Sequence, residues 1–232
     1  NIQYGLGSDN RYDLERIAKE VAEADIIALQ EVDRYWQRSG NLDQPQTLGK
    51  YLPDHYWVYG ANFDMHAEGV DESSVIQKNR RRQFGTMILS KTPILSSRNF
   101  PLPKYGAVEQ HSIQQGILEA VINTKVGPVR FYSVHLSHLC SEIRLPQVEK
   151  IMEIHETAYG EGGAWCGGHP HPHSGWLEGE KPIMPQHAVI MGDMNFDCHS
   201  PEYDMFNGPL SPEYGRVAHR LGFIDSWVAA GH

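Results

Sequence analysis

Residues 191–195 read Met-Gly-Asp-Met-Asn and complete an apolar run, residues 188–191, that is typical of a buried strand. Asp193 and Asn195 are separated by one residue, and side chains along a strand alternate with period two. Both side chains are therefore expected on the same side of an extended backbone. A carboxylate can orient or take a proton while an amide donates to developing negative charge, which suits a strand end that faces a reacting phosphate. A turn in which both side chains bond to backbone groups would have the same sequence.

Two other apolar runs also end in polar side chains. Residues 26–32 form the first run and carry Glu31, a carboxylate that is costly to bury without a partner. Residues 129–134 form the second and lead directly into His135. Asn1 opens the chain. These positions are far apart in sequence, so a shared role requires the strands to be neighbours in one sheet.

The order of these short motifs resembles the endonuclease/exonuclease/phosphatase superfamily. That superfamily includes deoxyribonuclease-like nucleases, abasic-site endonucleases, deadenylases, inositol-phosphate phosphatases and sphingomyelinases. The resemblance implies an α/β (α+β) fold, a deoxyribonuclease-like four-layer α/β/β/α sandwich, with one phosphoesterase site across the sheet ends. It spans essentially the whole chain and rests on Asn1-Ile2, Leu-Gln-Glu-Val at 29–32, Gly-Thr-Met-Ile-Leu-Ser-Lys at 85–91, Val-His-Leu at 134–136 and Gly-Asp-Met-Asn at 192–195.

The resemblance is incomplete at both ends of the chain. Family members close with an Arg-Ile/Leu-Asp-Tyr type strand and then a Ser-Asp-His, whereas residues 225–232 here read Asp-Ser-Trp-Val-Ala-Ala-Gly-His. The chain also starts at the family's Asn, without the strand that normally precedes it. We therefore expect residues 1–232 to form a single domain of this family that is truncated at both ends and lacks the C-terminal strand region.

The resemblance also implies a role for each strand-end side chain. Glu31, assisted by the amide of Asn1, would hold one Mg²⁺ or Mn²⁺, hard cations that prefer oxygen ligands. Asp193 would orient or deprotonate the attacking water, and Asn195 and His135 would donate hydrogen bonds to the phosphoryl oxygens. The partner of the protein would be a phosphate-ester substrate.

Composition favours some substrates over others. The formal net charge is −9 and the sequence pI is about 5.8, which disfavours affinity through broad neutralisation of a nucleic-acid backbone. A small-molecule, lipid-derived or sugar phosphate is therefore the leading prediction, with DNA or RNA hydrolysis and a non-catalytic binding scaffold as alternatives. No apolar stretch approaches the roughly 20 residues that cross a bilayer. Three cysteines without a CxxC pair favour a reduced compartment such as the cytoplasm over a disulfide framework.

Hydrophobic periodicity predicts the main elements. Helices are expected over residues 12–24, 142–159 and 214–221, and strands around 57–59, 86–90, 116–123, 129–134 and 188–191. Residues 223–227 follow the last helix, and Asp225 is interpreted as a structural residue at a strand end. His138 lies, with Arg144 and Gln147, in a pattern seen in phosphatase-like and deadenylase-like members. Core packing or helix capping is the favoured interpretation of His138, and the pattern makes it a substrate-binding candidate as the alternative.

Two segments interrupt this regular alternation. Residues 64–82 begin acidic and end in Lys78, Arg80, Arg81 and Arg82. The segment is either a solvated loop or a phosphate-facing arm, because Arg supplies bidentate donors. The second interpretation makes Arg82 a substrate-binding candidate.

The other segment, residues 160–187, is an insertion rich in Gly, Pro, His and Trp. Loops of this length are usually functional or disordered. Its His-Pro-His-Pro-His suggests a metal site, although alternating prolines favour an extended backbone that separates the imidazoles. A zinc site, surface decoration and a substrate-selecting or lid loop are the three interpretations. The lid interpretation makes Trp165 and Trp176 substrate-binding candidates.

Overall fold

The computed structural model describes residues 1–67 and 79–232 and contains two β-sheets that pack face to face. The first sheet has the order β1-β3-β2 and is antiparallel throughout, with β1 (Ile26–Arg34), β2 (Tyr56–His66) and β3 (Arg81–Ser90). The second has the order β4-β5-β6-β7, with β4 (Ile94–Pro101), β5 (Gly116–Thr124), β6 (Gly127–His135) and β7 (Ala188–Asp193). Only the β6–β7 pair within this second sheet is parallel.

Helices cover the outer face of each sheet. On the first sheet these are α1 (Leu14–Val21) and α2 (Gln44–Tyr51), and on the second they are α3 (Ser141–Glu161) and α4 (Pro201–Asn207). A two-residue ribbon and a short helix follow, with β8 (Leu210–Ser211), β9 (Gly215–Arg216) and α5 (Ser226–Ala229). The order of layers is α/β/β/α, so the predicted sandwich class is confirmed.

Strand alternation distributes the apolar side chains among three cores. On β5, Leu118, Ala120 and Ile122 face the first sheet, while Ile117 faces the helices. The central core between the sheets contains Ile88, Leu118, Ala120, Ile122 and Phe131. The two outer cores hold α1 and α2 against β1 and β3, and α3 and α4 against β5 and β6. The polar ends of the strands project beyond the central core.

Local sequence explains where most helices begin. The side chains of Asp13 and Asp43 accept hydrogen bonds from backbone N–H groups in the first turns of α1 and α2, which is the usual N-cap arrangement. The predicted helix over 142–159 corresponds to α3, and the one over 12–24 to the shorter α1. The structure describes no helix long and apolar enough to cross a membrane, and all three cysteines are free.

The predictions for the C-terminal region were wrong. Residues 214–221 do not form a helix, because Gly215 takes a positive φ of 77° and closes the turn between β8 and β9. Asp225 does not end a strand. Its side chain caps α5 by accepting from the Trp227 backbone N–H at 2.9 Å, and it also accepts from the Tyr203 hydroxyl at 2.8 Å.

The expectation that the polar strand ends share one sheet was also wrong. Glu31 belongs to β1 in the first sheet, whereas His135 and Asp193 end β6 and β7 in the second. The strand ends meet because the two sheets face each other. Ser133 links the sheets at this level: it accepts from Gln30 Nε2 at 3.0 Å and donates to the Leu29 carbonyl at 3.3 Å.

The two unusual segments have different positions. Residues 64–66 and 81–82 of the basic arm extend β2 and β3 as paired strands, and Lys78 lies outside the described residues. Residues 162–187, which the structure describes throughout, connect α3 to β7 and contain one 3₁₀ turn, Pro172–Ser174.

Candidate active site

Four predicted side chains converge at one end of the cleft between the sheets. The Asn1 amide nitrogen donates to Glu31 Oε1 at 2.8 Å and to Asp193 Oδ2 at 2.9 Å. His135 Nε2 lies 4.0 Å from the same Glu31 oxygen and 3.9 Å from the same Asp193 oxygen. The structure therefore brings together groups from the chain start, β1, β6 and β7.

Glu31 reaches the cleft because β1 contains a bulge. Leu29 and Val32 both pack against the helices, although a regular strand would place them on opposite faces. The register with β3 shifts between these two residues, and Glu31 takes a positive φ of 59°. A bulge of this kind re-aims a side chain, and strained backbone of this kind is concentrated at functional sites. The bulge turns the Glu31 carboxylate from the helix side toward the cleft.

Asp193 is positioned by the close approach of β7 to β6. Gly192 has a φ of 153°, and a Cβ at this position would lie 2.0 Å from the Val134 carbonyl oxygen, so a side chain would push the two strands apart. The pairing sets Asp193 opposite His135. Glycine at 192 therefore permits the parallel contact that holds these two side chains side by side.

Asn195 lies near Asp193 for a different reason than the alternation that predicted it. The strand ends at Asp193, and Asn195 takes a positive φ of 52°. Its backbone N–H donates to Asp193 Oδ1 at 3.1 Å, and its side-chain amide donates to the Leu136 carbonyl at 2.9 Å. The turn fixes one carboxylate oxygen of Asp193 and leaves Oδ2 toward Asn1 and His135.

His135 is nearly enclosed, with 5% of its surface exposed. Burial lowers the pKa of His135, and the Glu31 and Asp193 carboxylates oppose that shift. The neutral imidazole keeps one N–H donor and one acceptor nitrogen. The Phe84 ring lies 6.3 Å from the His135 ring and forms an apolar wall of the cleft.

The carboxylates have the chemistry of a divalent-cation site. Glu31 and Asp193 have side-chain exposures of 20% and 29%, and neither is paired with Lys or Arg among the described residues. Two partly buried carboxylates that share one amide donor favour a hard cation with oxygen ligands. Residues 1–67 and 79–232 contain no group of three or more His, Cys, Asp or Glu arranged to hold a metal. The oxygens that could bind a cation at this end are those of the two carboxylates, and the Asn1 amide oxygen beside them accepts from the Gln3 backbone N–H at 2.9 Å.

His138 lies at the exposed rim of the cleft, in the turn between β6 and α3. It lies close enough to His135 for the two rings to interact electrostatically, which is the smallest of the influences that lower the pKa of His135. It therefore neither packs in a core nor caps α3, whose N-cap residue is Cys140.

Arg144 and Gln147 hold the turn that carries His138. Gln147 Oε1 accepts from the Ser137 backbone N–H at 2.9 Å, and Arg144 donates to the Ser137 carbonyl at 3.2 Å. Arg144 also pairs with the buried Glu202 at 2.8 Å. The hydrogen bonds of Arg144 and Gln147 to Ser137 therefore hold the turn that forms the rim of the site.

Arg82 and Phe84 are two residues apart on β3, so both side chains lie on the face of the strand that is turned toward the site. Its guanidinium carbon is 5.5 Å from the centre of the Trp36 ring, and its Nε is buried without a hydrogen-bond partner in the described structure. Arg38 stands between Arg82 and the chain start, 4.1 Å from the Tyr4 ring and 4.3 Å from the Trp36 ring. Arg82 on β3 and the segments before and after β1 thus supply a wall of aromatic and guanidinium groups, of which only Arg82 was a predicted substrate-binding residue.

Asp33 anchors this wall from inside. The carboxylate is fully buried and accepts from Arg38 Nε at 3.0 Å, Arg38 Nη2 at 2.9 Å and the Ser39 hydroxyl at 2.8 Å. Burial raises the pKa of Asp33, while its hydrogen bonds with Arg38 act in the opposite direction. The two hydrogen bonds that Arg38 donates to Asp33 fix the guanidinium between the Tyr4 and Trp36 rings.

The structure does not bring Trp165 and Trp176 to the cluster. Their segment joins the end of α3 to the start of β7, and Asp193 is at the other end of β7. Six strand residues separate these ends by about 20 Å. Trp176 is 75% exposed. The His169 ring accepts from the His171 backbone N–H at 3.0 Å, and the described residues hold no zinc site there.

The sequence and structure comparisons agree on a family. A model of the Endonuclease/Exonuclease/phosphatase family matches residues 1–222. The chain belongs to that family. No curated protein sequence matches this chain.

Several solved structures have a similar fold. A mannosyl-6-phosphatase from Bacteroides thetaiotaomicron is 16% identical with a TM-score of 0.51, over 83% of this chain and 60% of that chain. A family protein from Leptotrichia buccalis is 16% identical with a TM-score of 0.53, over 88% and 70%. Sphingomyelinase C from Streptomyces griseocarneus is 18% identical with a TM-score of 0.51, over 88% and 65%. At these identities the likeness shows the fold, and the match covers about three fifths of the mannosyl-6-phosphatase chain.

Proposed function

We propose that this protein is a hydrolase of phosphate esters that depends on Mg²⁺ or Mn²⁺, and that it acts on a small-molecule, lipid-derived or sugar phosphate. The observation that carries the proposal is the pair of carboxylates, Glu31 and Asp193, bridged by the Asn1 amide beside a neutral His135. Their lack of a Lys or Arg partner in the described structure supports a cation as their partner.

Each side chain has a role that its contacts support. Glu31, with Asn1, would hold the metal ion, which when bound neutralises phosphate charge and stabilises the leaving oxygen. Asp193 Oδ1 is held by the Asn195 backbone N–H, and Oδ2, which accepts one hydrogen bond from the Asn1 amide, has further lone-pair capacity to orient the attacking water or take its proton. His135 can donate from its one N–H to a phosphoryl oxygen as charge builds.

Asn195 has a second amide hydrogen beyond the one bonded to Leu136. That hydrogen can donate to a phosphoryl oxygen, as the resemblance implies. His138 and Arg82 are proposed to contact the part of the substrate that does not react, at the rim and at the wall of the cleft.

The substrate class follows from charge. A net charge of −9 opposes a long polyanion more than a single phosphate ester. Two structures of the same fold carry the names mannosyl-6-phosphatase and Sphingomyelinase C, a sugar-phosphate and a lipid enzyme by name. Both names are consistent with a small or lipid-derived substrate.

A nuclease is the second candidate, because the wall beside the site is basic and aromatic. Arg80 lies 4.8 Å from the Tyr35 ring and Arg82 lies 5.5 Å from the Trp36 ring. Stacked guanidinium and aromatic groups are typical of single-strand binding. If the nuclease assignment were correct, hydrolysis of DNA or RNA would fall steeply with salt, whereas turnover of a small ester would not.

Steady-state hydrolysis of p-nitrophenyl phosphate and bis(p-nitrophenyl) phosphate tests the proposal. The full chain is assayed with Mg²⁺, with Mn²⁺ and with chelator, beside the variants Glu31→Gln and Glu153→Gln. We expect chelator and Glu31→Gln each to reduce kcat by about 100-fold or more. Glu153→Gln should retain activity, because Glu153 is exposed on α3 and pairs only with Lys150.

Equal rates for the wild type and Glu31→Gln would remove the metal assignment. Absence of metal-dependent turnover on either ester would favour the third alternative, a binding scaffold that retains the sandwich.

A further inference from the structure

A buried amide beside the cleft has no partner and no role in the proposed chemistry. Asn62 lies on β2 at a register shift between Ala61 and Phe63. It is 8% exposed, and neither its Oδ1 nor its Nδ2 has a hydrogen-bond partner in the described structure. An unpartnered buried amide costs about 1–3 kcal/mol for each unsatisfied group and requires an explanation.

The position of Asn62 is fixed by a glycine on the facing sheet. A Cβ on Gly116 would lie 2.1 Å from Asn62 Oδ1, so only glycine leaves room for the amide to cross between the sheets. Gly116 pairs directly with His135 in the β5–β6 ladder. Asn62 therefore occupies the place on the cleft face that a side chain next to His135 would otherwise fill.

The neighbouring strand gives the same location independently. The register shift places Asn62 beside the pairs Ala61 with Gly85 and Phe63 with Phe84. The Phe84 ring is 6.3 Å from the His135 ring. Two strands from different sheets thus put the Asn62 amide beside the imidazole proposed to act on the phosphate.

We propose that Asn62 binds a hydroxyl group of the substrate next to the phosphate ester and so selects phosphorylated polyols or sugars. This inference rests on the proposed phosphoesterase function and deepens it. A hydroxyl both donates and accepts, so it can satisfy Oδ1 and Nδ2 together. A phosphate oxygen accepts only and would leave Oδ1 facing negative charge. A cation would be repelled by the partial positive charge of the Nδ2 hydrogens.

The chain offers a matched control in Asn99. This amide lies over Gly60 as Asn62 lies over Gly116, since a Cβ on Gly60 would be 2.2 Å from Asn99 Oδ1. Asn99 pairs with Leu118, two residues further from the His135 level along β5, and its Nδ2 donates to the Ala61 carbonyl at 2.9 Å. Asn99 Nδ2 thus has a protein partner although Asn99 Oδ1 has none, whereas both polar atoms of Asn62 lack a partner in the described structure.

The test compares substrates with and without a hydroxyl near the ester. The wild type, Asn62→Leu, Asn62→Ser and Asn99→Leu are assayed with Mg²⁺ on two pairs of probes: hexose 6-phosphate with p-nitrophenyl phosphate, and glycerophosphocholine with bis(p-nitrophenyl) phosphate. For the pair that the wild type hydrolyses, Asn62→Leu should reduce kcat/KM on the hydroxylated member by roughly tenfold through KM. The aryl ester should change by less than about threefold. Asn62→Ser should recover part of the loss.

Asn99→Leu should lower the melting temperature and change both probes of a pair by the same factor. If Asn62→Leu fails to fold, the wild type itself is compared on the hydroxylated probe and its deoxy analogue. A preference of at least fivefold for the hydroxylated form, reduced in Asn62→Ser, supports the inference.

Equal effects of the Asn62 variants on both probes, or no discrimination by the wild type, would overturn this inference alone if turnover still requires Glu31. If no probe is hydrolysed in a metal-dependent manner, both this inference and the proposed function are overturned.

Discussion

Two clusters of acidic side chains lie on opposite faces of the second sheet, and their partners differ. Glu119, on the helix face, is 1% exposed and accepts from Arg98 at 2.7 Å and 3.1 Å, with Arg130 at 3.8 Å. Glu31 and Asp193, on the cleft face, share the Asn1 amide and form no ion pair with Lys or Arg among the described residues. Glu119 has cationic partners within the protein, whereas Glu31 and Asp193 have no Lys or Arg partner in the part of the chain that the structure describes.

The difference separates a cluster that stabilises the fold from one that is proposed to act in catalysis. A buried carboxylate with two guanidinium partners requires nothing from outside, although its desolvation is costly. Two carboxylates close together without a cation oppose folding and are retained only if something else compensates. Removing a carboxylate should therefore change stability far more in the first cluster than in the second.

The largest expected effect is on stability at the paired cluster. Glu119→Gln removes the carboxylate beside the fully buried Arg130 and leaves the half-buried Arg98 with Glu161 alone, which should cost about 3 kcal/mol of unfolding free energy. Glu31→Gln removes one of two facing charges and should change stability without metal by less than about 0.5 kcal/mol, in either direction. Urea denaturation in the presence of chelator measures both.

The activity of the folded protein also distinguishes the two clusters. Glu119→Gln should keep the wild-type kcat at a temperature where it is folded, because Glu119 faces the helices and not the cleft. Comparable destabilisation by Glu119→Gln and Glu31→Gln would contradict the distinction between the clusters.

The second effect is stabilisation by the cation itself. A divalent ion that binds the folded chain at 100 times its Kd stabilises it by about 2.7 kcal/mol. Mg²⁺ should therefore raise the melting temperature of the wild type and of Glu119→Gln, and should not raise that of Glu31→Gln or Asp193→Asn. Differential scanning fluorimetry with and without chelator measures the shift and requires no substrate.

A control with monovalent salt at equal ionic strength removes general screening from this measurement. An equal Mg²⁺ shift in all four proteins would show that the ion acts elsewhere on the acidic surface.

Periodicity predicted much of this scaffold, because its buried strands and two main helices have strong apolar patterns. The strands β1, β3, β5, β6 and β7 and the helices α1 and α3 all correspond to predicted segments. The missed β4 and α2 have weaker patterns: β4 reads Ile-Leu-Ser-Ser-Arg-Asn-Phe-Pro, and α2 contains both Pro45 and Gly49. Their structure depends on packing against β5 and α1, which local sequence does not encode.

The site was predictable in its members and not in its geometry. The ordered motifs identified Asn1, Glu31, His135 and Asp193, which converge. No local pattern indicated that Glu31 turns into the cleft through a bulge, since a bulge is defined by the partner strand. Asn62 had no signal either, because its setting depends on Gly116 in the other sheet.

The structure places the tryptophan loop, residues 160–187, away from the position that a lid over the site would take. Composition suggested a lid, yet composition does not say at which end of a strand a loop is attached. The direction of β7 puts the loop at the end away from Asp193.

The smallest expected effect is a pH dependence of stability in the paired cluster. Burial and, after it, the neighbouring Arg130 charge lower the pKa of His155 to about 4, while Glu119 acts in the opposite direction. The His155 ring lies 4.5 Å from the Phe223 ring, and its Nδ1 lies 3.4 Å from Arg130 Nη2. The folded protein therefore favours the neutral imidazole, whereas the unfolded chain protonates near its ordinary pKa of about 6.5.

Because the folded-state pKa is lowered, the stabilisation is complete above about pH 6.5 and is lost as the pH falls toward 4. His155→Gln should remove this part of the pH dependence and leave a shallower decrease between pH 6.5 and 4.5. Melting temperatures of the wild type and His155→Gln at matched pH values, with chelator present, give the difference. A parallel decrease in both proteins would show that the imidazole is not held neutral by Arg130. In that case the contrast between the two clusters would rest on Glu119 alone.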